Sequence, residues 1–280
     1  MFFKIGKKYF QGDYNNMKIL PIYNSFNTQN KINFGSTDRF YKTDHGKEIG
    51  NNSWIFREDI NWRDFSEFLI HNFRNKEQVN IIQFAASDGS EGYTQIISLL
   101  ENPNKKDVSK FFPIQAYDID DFIVTKAQSG KINLGVNDIA RLRTNSIPRS
   151  KYFIRKPLTF VPENLYQKVL QSNPDEIFGV RDVFEVSDIL QDKIIFDMGD
   201  MFKILPEIKD DSNTVILCRN ILGYFHDEPE KIEKFIQTAS AVLEKGSVFV
   251  IGKLDTDYGV DKILKENSFL KMQNNVYMKI

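Results

Sequence analysis

The chain has 280 residues, which is enough for one large α/β domain with a small insert. Its 37 basic and 38 acidic residues nearly cancel, so no overall field attracts it to nucleic acid or to an anionic membrane. The single cysteine excludes an internal disulfide and a cysteine-rich zinc site, and it fits a reducing compartment. No apolar run approaches the roughly 20 residues that span a bilayer. The lysine-bearing start, Met1–Phe10, does not resemble a signal peptide, so we expect a cytoplasmic protein without membrane insertion.

Residues 1–50 show no sustained periodicity and are predicted to form loops with at most one short helix. The next segment predicts an amphipathic helix, because apolar residues recur at steps of three and four: Trp62, Phe65, Leu69 and Phe73. Val79–Ala85 predicts a strand that ends in a glycine-bearing turn, and the helical stretch Tyr93–Leu100 follows it. Phe112–Tyr117 predicts the next strand, with a helix after it that continues through Gln128. This alternation of strand and helix is typical of a parallel sheet.

The alternation stops between about Ile147 and Leu190. Prolines and short, partly polar runs predict an inserted β-rich subdomain there, with strands at Lys151–Arg155, Leu158–Val161 and Val180–Val186. The alternation then returns with two predicted strands, Lys193–Phe196 and Thr214–Cys218.

A long helix follows, and its predicted start has Asp227 as the N-cap and Pro229 in the first turn. Ser247–Ile251 predicts a buried strand, and Phe269–Met272 with Val276–Ile280 predicts a terminal antiparallel hairpin. The whole pattern indicates a doubly wound α/β fold with a mostly parallel sheet, a small inserted subdomain and a terminal hairpin.

The turn Gly89–Gly92 follows the first strand of the predicted sheet. Glycine lets the backbone approach a ligand closely, at the place where a doubly wound sheet binds nucleotides. The spacing differs from the Gly-x-Gly-x-x-Gly of dinucleotide enzymes, and the carboxylate of Glu91 repels phosphate but suits an ammonium or sulfonium group. A turn without a ligand is the alternative.

Asp118 ends the second predicted strand, where an acidic residue commonly accepts hydrogen bonds from two ribose hydroxyls. The alternative role is the N-cap of the helix that follows, which Asp120 could provide instead. A glycine turn with two acids favours an adenosine that lacks phosphate.

Several segments resemble the glutamate methyltransferases of bacterial chemoreceptors, the CheR-type family. In chain order they are Asn51–Glu58, Ala85–Thr94, Tyr117–Asp120, Lys151–Phe153 and Leu217–Phe225. The last of these, Leu-Cys-Arg-Asn-Ile-Leu-Gly-Tyr-Phe, is close to the family's Phe-Cys-Arg-Asn-Val-x-x-Tyr-Phe and is the most specific. The resemblance covers the chain from Asn51 to the last strands.

The resemblance implies a class I, Rossmann-like methyltransferase domain over residues 51–280, with the inserted subdomain at about 147–190 and the irregular segment 1–50 before it. It implies S-adenosylmethionine as cofactor, with S-adenosylhomocysteine as product. It also implies methyl ester formation on a glutamate of a protein partner that bears acidic side chains, and no nucleic acid partner. Residues 1–50 are too short and irregular for the family's N-terminal helical domain, which meets the receptor, so the cofactor chemistry carries over better than the identity of the substrate.

By the same resemblance, Arg219 and Tyr224 are the catalytic candidates that face the methyl group and the acceptor. The residues implied at the cofactor are Asn51, Ser53, Arg57, Ala86, Glu91, Asp118, Asp200, Met201 and Asn220. Of these, the first three are expected at the methionine end. Glu91 is expected at the ammonium, Asp118 at the ribose, and Asp200, where the family has asparagine, beside the adenine.

Other interpretations of the sequence remain open. The chain could methylate another acceptor, either a small molecule or a different protein side chain, or it could bind the cofactor without turnover. An arginine such as Arg57 is often part of a surface ion pair, and a tyrosine such as Tyr224 is often half-buried packing. A carboxylate acceptor is already ionised near neutral pH, so the proposed reaction needs alignment rather than a general base.

Overall fold

The computed structural model describes residues 40–42, 48–50, 53–105, 107–155, 181–208 and 213–280. Asn51 and the predicted strand Leu158–Val161 lie outside these residues. Two three-residue strands, β1 (Phe40–Lys42) and β2 (Glu48–Gly50), pair antiparallel within the segment that was predicted as loops. That prediction was wrong there because three residues are too few to show an alternating pattern.

The remaining strands in the described residues begin with those of the first half. They are β3 (Asn80–Phe84), β4 (Ile114–Asp118), β5 (Lys131–Gly135), β6 (Phe153–Arg155) and β7 (Arg181–Val186), then β8 (Ile194–Met198), β9 (Thr214–Cys218), β10 (Val248–Val250), β11 (Phe269–Gln273) and β12 (Val276–Lys279). The α-helices are α1 (Trp62–Asn72), α2 (Ser90–Leu100), α3 (Asp121–Gln128), α4 (Val136–Thr144), α5 (Arg149–Tyr152), α6 (Asp188–Gln191), α7 (Met201–Ile204), α8 (Pro229–Val242), α9 (Lys253–Asp257) and α10 (Val260–Glu266). Short 3-10 turns occupy Ser109–Phe111, Leu205–Glu207 and Leu222–Phe225.

The main sheet has seven strands in the order β11-β12-β10-β9-β3-β4-β8. The pairs from β10 to β8 are parallel, whereas β12 runs antiparallel to both β10 and β11. The predicted doubly wound sheet with its terminal hairpin is therefore confirmed. The strand order reverses at β3, which pairs with β4 on one side and with β9 on the other. A reversal of this kind opens a ligand crevice beyond the carboxyl ends of the strands.

The two faces of the sheet carry separate apolar cores, because successive side chains of a strand point to opposite faces. In β9 all five residues are buried, with Val215 in one core and Ile216 in the other. Helix α1 belongs to the first core through the predicted apolar positions, among them Phe65. Helix α8 packs on the second, and its Phe235 ring lies 6.2 Å from the Phe84 ring in an edge-on contact.

The three strands of the small sheet have the order β5-β7-β6 and pair antiparallel. Its first strand, Lys131–Gly135, precedes the segment from which an insert was predicted. Lys151 and Tyr152 were predicted as strand residues but end α5, because Pro148 begins a helical turn and both side chains bind Glu101. The strand starts at Phe153 instead.

The start of α8 also differs from the prediction. Pro229 is its first residue, as expected, but Glu228 rather than Asp227 occupies the N-cap position. Glu228 makes no side-chain capping bond, so the proline, whose fixed φ suits a first helical turn, accounts for this helix start. In the ranges described, no helix is both long and apolar enough to cross a membrane.

Candidate functional site

The loop after β3 brings backbone to the crevice in an unusual conformation. Ala85, Ser87 and Gly89 have positive φ values of 53°, 52° and 84°. A side chain at Gly89 would place its Cβ 2.5 Å from the ring of Phe196, so both space and φ require glycine. Helix α2 begins directly after this loop, and Glu91 lies in its first turn. The carboxylate therefore sits at the mouth of the crevice.

Asp118 lies at the end of β4 beside this loop and is only 6% exposed. Its Oδ2 accepts a hydrogen bond from Ser87 N at 2.8 Å, and its Oδ1 accepts one from Asp120 N at 3.1 Å. Burial raises its pKa despite these bonds. The N-cap of α3 is Asp120, whose side chain accepts from Phe122 N at 3.0 Å, so the capping role does not fall to Asp118. Each of its oxygens can accept a further hydrogen bond, which leaves room for a diol.

A buried charge cluster lies next to the loop, with the fully buried side chain of Arg219 in its middle. Arg219 Nη1 is 2.6 Å from Glu91 Oε2, and Nη2 donates to Asp59 Oδ1. The guanidinium also lies over the Trp62 ring, 4.8 Å from its centre. Its Nε has no hydrogen-bond partner among the described residues, and Nη1 forms an ion pair with Glu91 that lacks hydrogen-bond geometry. A buried guanidinium donor without a partner is costly, and an anionic group is the chemistry that would satisfy it.

Arg57 belongs to the same cluster. Burial lowers its pKa, whereas Glu91 raises it, and the charges of Arg219, Asp59 and Tyr224 also act on it. Its guanidinium lies 4.4 Å from the centre of the Trp54 ring. Arg57 is therefore part of the buried charge cluster rather than of an exposed surface ion pair.

Burial raises the pKa of Glu91, and the two arginines of the cluster oppose that shift. The cluster thus holds two guanidinium groups and two carboxylates, those of Arg57, Arg219, Glu91 and Asp59, in one largely buried place. Tyr224 is half-buried beside them, within the 3-10 turn that follows β9.

Two carboxylates in and around this cluster escaped the sequence reasoning, Asp59 and Asp255. Asp59 accepts hydrogen bonds from Arg219 and from Lys253 N, the latter at 3.0 Å. Asp255 is fully buried and accepts from the backbone N–H groups of Asn220 at 2.6 Å, Gly223 at 2.9 Å and Gly252 at 2.8 Å. These bonds fix the loop that carries Arg219.

Asp255 also has a strongly perturbed pKa, which burial raises to about 6 against the opposing effect of its three hydrogen bonds. Asn220 has a φ of 55°, and its Oδ1 accepts from Leu254 N at 3.1 Å, so its side chain links the loop to α9. An isolated aspartate such as Asp255 belongs to no motif that would mark it in the sequence. Only its position in the first turn of α9, where its side chain accepts from the N–H of the N-cap residue Gly252, could have pointed to Asp255.

The other predicted residues lie around this centre. Ala86 is buried, and its N–H donates to Tyr117 O at 3.0 Å. Ser53 is half-buried near the start of the segment that carries Arg57. Asp200 caps α7 by accepting from Phe202 N at 2.9 Å, and Met201 is buried in the second core. Asp200 follows Gly199, whose N–H donates to Asp118 O at 2.8 Å, which places it on the Asp118 side of the crevice.

Residues 51–153 match the sequence profile of a family described as "CheR methyltransferase, SAM binding domain". The match covers less than half of the chain and includes β3, α2 and β4, the elements that form the crevice. Together with the doubly wound sheet, in which β12 is antiparallel, this match supports an S-adenosylmethionine-dependent methyltransferase. None of the curated proteins matches the chain by sequence.

Among solved structures, the magnesium protoporphyrin IX methyltransferase ChlM from Synechocystis PCC 6803 with bound SAM is 11% identical. The alignment covers 78% of each chain with a TM-score of 0.36. Precorrin-6y C5,15-methyltransferase from Geobacter metallireducens GS-15 is 11% identical over 80% of this chain and 90% of that chain, with a TM-score of 0.34. The trans-methyltransferase CalH in complex with SAH is 12% identical over 78% and 57%, with a TM-score of 0.37. Sequence identities and TM-scores this low give no information about the methyl acceptor of this chain.

The residues in the crevice fit S-adenosylmethionine. The cofactor presents an ammonium group, a carboxylate, a sulfonium and a ribose. Glu91 would hold the ammonium, and Asp118 retains acceptor capacity for the ribose hydroxyls. The guanidinium of Arg57, which lies within the electrostatic reach of Glu91, suits the cofactor's carboxylate. When bound, the cofactor supplies an electrophilic methyl group on sulfur.

Proposed function

We propose that this methyltransferase forms methyl esters on glutamate side chains of a protein partner. The observation that carries the proposal is the buried Nε of Arg219, which has no hydrogen-bond partner in the described part of the chain and lies on the loop that also carries Tyr224. The match of residues 51–153 to a CheR profile supports it. A guanidinium with a free donor and a phenol hydroxyl suit a carboxylate acceptor.

Arg219 and Tyr224 would each orient the acceptor carboxylate in a different way. Asp59 holds one end of the Arg219 guanidinium, so that Nε can present its proton to an acceptor oxygen. Tyr224 would fix the direction from which that oxygen approaches. Burial of the cluster excludes water from the nucleophile, and in-line alignment can account for several kcal/mol of the barrier. No proton has to be removed, because a glutamate side chain is ionised near neutral pH.

A second candidate is methylation of an uncharged or basic acceptor, and one observation favours it. Arg219 already has two carboxylate partners, Asp59 and Glu91. With Arg57 included, two positive and two negative charges cancel, and Asp255 lies close enough to Glu91 to raise its pKa further. A cluster without excess positive charge does not by itself demand an anionic acceptor.

The chemistry of the product separates the two. The protein is incubated with methyl-labelled S-adenosylmethionine and either poly-glutamate or poly-glutamine peptides, and with a lysate of its source cells. Carboxyl methyl esters release labelled methanol in mild alkali, whereas methylated amines keep their label. Alkali-labile label on glutamate, absent with glutamine, is the expected result. Alkali-stable label would support the second candidate, and bound cofactor without any transfer would indicate a binding module.

A further inference from the structure

Two anchors hold the backbone just before Arg57. Ile55 N donates to Asp138 Oδ1 at 3.3 Å, and Phe56 N donates to Thr94 Oγ1 at 3.0 Å, and both bonds are buried. Thr94 lies on α2, the helix whose first turn carries Glu91. Asp138 lies on α4, which directly follows β5 of the small sheet. The segment that carries Arg57 is therefore tied both to the cofactor helix and to the small sheet.

This segment has a backbone that depends on its surroundings. Phe56 has a φ of 51°, in the left-handed region that residues with a side chain rarely adopt. Such a conformation persists only where neighbouring contacts hold it. The two anchors bind the N–H groups of Ile55 and of Phe56 itself, so they are placed to maintain it. Arg57, the next residue, owes its direction to that turn.

Asp138 does more than cap its own helix. It is 2% exposed, and its Oδ2 accepts from Gly135 N at 2.9 Å, which closes the first turn of α4. Capping of α4 requires only this Oδ2 atom. The other oxygen, Oδ1, faces Ile55 N, which lies 83 positions away in the sequence. The N–H of Ile55 thus donates to a buried, charged acceptor, although at 3.3 Å the bond is longer than the ~2.8 Å of the strongest charge-assisted hydrogen bonds.

A second contact also connects α4 to the segment that carries Arg57. Arg141, one turn further along α4, has its Nη1 at 3.5 Å from Asp138 Oδ1 and its Nε at 3.5 Å from Glu58 Oε1. The Glu58 side chain is 82% exposed, so its ion pair adds little by itself. The buried bond from Ile55 to Asp138 is therefore the principal connection.

We infer that Asp138 is a positioning residue for cofactor binding, which holds Ile55–Phe56 so that Arg57 lies beside Glu91 and Arg219. Through it the small sheet is coupled to the methionine end of the cofactor site, so that a shift of α4 changes cofactor affinity. The inference rests on the cofactor role proposed for Arg57 and not on the identity of the methyl acceptor.

A double-mutant cycle on the full chain tests it, with S-adenosylhomocysteine affinity measured by calorimetry for Asp138→Ala, Arg57→Ala and the double variant. Asp138→Ala is expected to weaken binding about tenfold in the parent, the effect of one hydrogen bond to a charged group, and to add almost nothing in the Arg57→Ala background. The matched control is Asp261→Ala, which removes an acid from the first turn of α10, where Asp261 forms an ion pair with Lys265. It should leave affinity unchanged.

Hydrogen exchange supplies a readout that does not depend on the cofactor. In Asp138→Ala the amides of Ile55 and Phe56 should exchange faster, while those of the central strand β3 keep the parent rate. Equal weakening in both backgrounds, or unchanged exchange at Ile55, overturns the inference. If only the glutamate methylation assay fails, the affinity and hydrogen-exchange measurements still test Asp138. The glutamate acceptor and the positioning role of Asp138 can therefore be rejected independently. Should Asp138→Ala not fold, Asp138→Asn keeps one carbonyl oxygen for the α4 cap and removes the charged acceptor.

Discussion

Arg219 Nη1 lies 2.6 Å from Glu91 Oε2, so the residue expected to face the acceptor is paired with the residue expected to hold the cofactor's ammonium. The two roles are therefore linked through one carboxylate. Arg219 is held on its other side by Asp59. An ammonium that approaches Glu91 competes with Nη1 but not with Nη2. Cofactor binding and the orientation of Arg219 should consequently depend on each other.

The first prediction concerns Arg219 itself. Arg219→Ala should lower the single-turnover rate of methyl transfer by at least about a hundredfold, since alignment is worth several kcal/mol of barrier. Cofactor affinity should fall much less, because Glu91 then becomes free for the ammonium. Arg219→Lys should restore only part of the rate, since an ammonium keeps the charge but loses the planar fork.

Quenched-flow assays at saturating cofactor separate the rate from binding. Tyr224→Phe, which removes only a hydroxyl on the same loop, is a milder companion variant and should also slow transfer without loss of affinity. An Arg219→Ala protein that no longer binds cofactor would assign Arg219 to the cofactor shell and remove its acceptor role. Transfer at the parent rate in both variants would place the reaction elsewhere.

The second prediction follows from Glu91. Burial raises the pKa of its carboxyl in the folded protein, and only the ionised form attracts an ammonium. As the pH falls, Glu91 takes up its proton at a higher pH than an ordinary glutamate does, and cofactor affinity should decline with it. Glu91→Gln should bind S-adenosylhomocysteine weakly and without this decline. Titration calorimetry between pH 5 and pH 8 checks both proteins, and parallel pH profiles would contradict the assignment.

Much of the main sheet could be predicted from the sequence because its strands are buried. Thr214–Cys218 is a strand in the structure with the bounds predicted, since all five residues are apolar or β-branched and lie inside the fold. The terminal hairpin was equally visible, with Asn275 at a φ of 61° in its turn. The small sheet was harder. Ile132 and Leu134 alternate with polar neighbours over only five residues, too short a run to distinguish a strand from a loop.

The centre of the site was only partly accessible to sequence reasoning. Arg57, Glu91 and Arg219 could be named from motifs, but the sequence did not predict that they share one buried cluster. Asp59 was not found at all, because its bond to Arg219 joins residues 160 positions apart and depends on the packing of the whole sheet. The roles of all these residues in binding and transfer stay predictions.

The third prediction uses Asp255, whose pKa burial raises to about 6 from an ordinary value of 3.8. The folded chain then holds this proton more tightly than the unfolded chain. The resulting stabilisation of the folded state is complete at pH values below the pKa of Asp255 in the unfolded chain. It is lost as the pH rises through the pKa of Asp255 in the folded chain. A difference of this size corresponds to about 3 kcal/mol.

Asp255→Asn cannot titrate, and its amide can satisfy at most two of the three N–H groups that face it. The variant should therefore be less stable than the parent, and its deficit should be larger at pH 5 than at pH 7. Urea unfolding at the two pH values measures this difference directly. A deficit that is the same at both would show that Asp255 has no raised pKa in the folded protein.

The last prediction concerns Asp118, whose two oxygens already accept from Ser87 N and Asp120 N. Asp118→Ala should weaken S-adenosylhomocysteine binding by roughly 2–4 kcal/mol, the effect of losing two hydrogen bonds to a charged acceptor with partial compensation by water. It should also lower the melting temperature, because the N–H of Ser87, a residue at positive φ, loses its partner. Asp120→Ala, which removes the N-cap of α3 from the same strand end, is the matched control for stability. The ribose role requires that Asp118→Ala loses far more affinity than Asp120→Ala at a comparable loss of stability, measured by calorimetry and thermal unfolding. Equal affinity in the two variants would leave Asp118 as a residue that only holds the loop after β3.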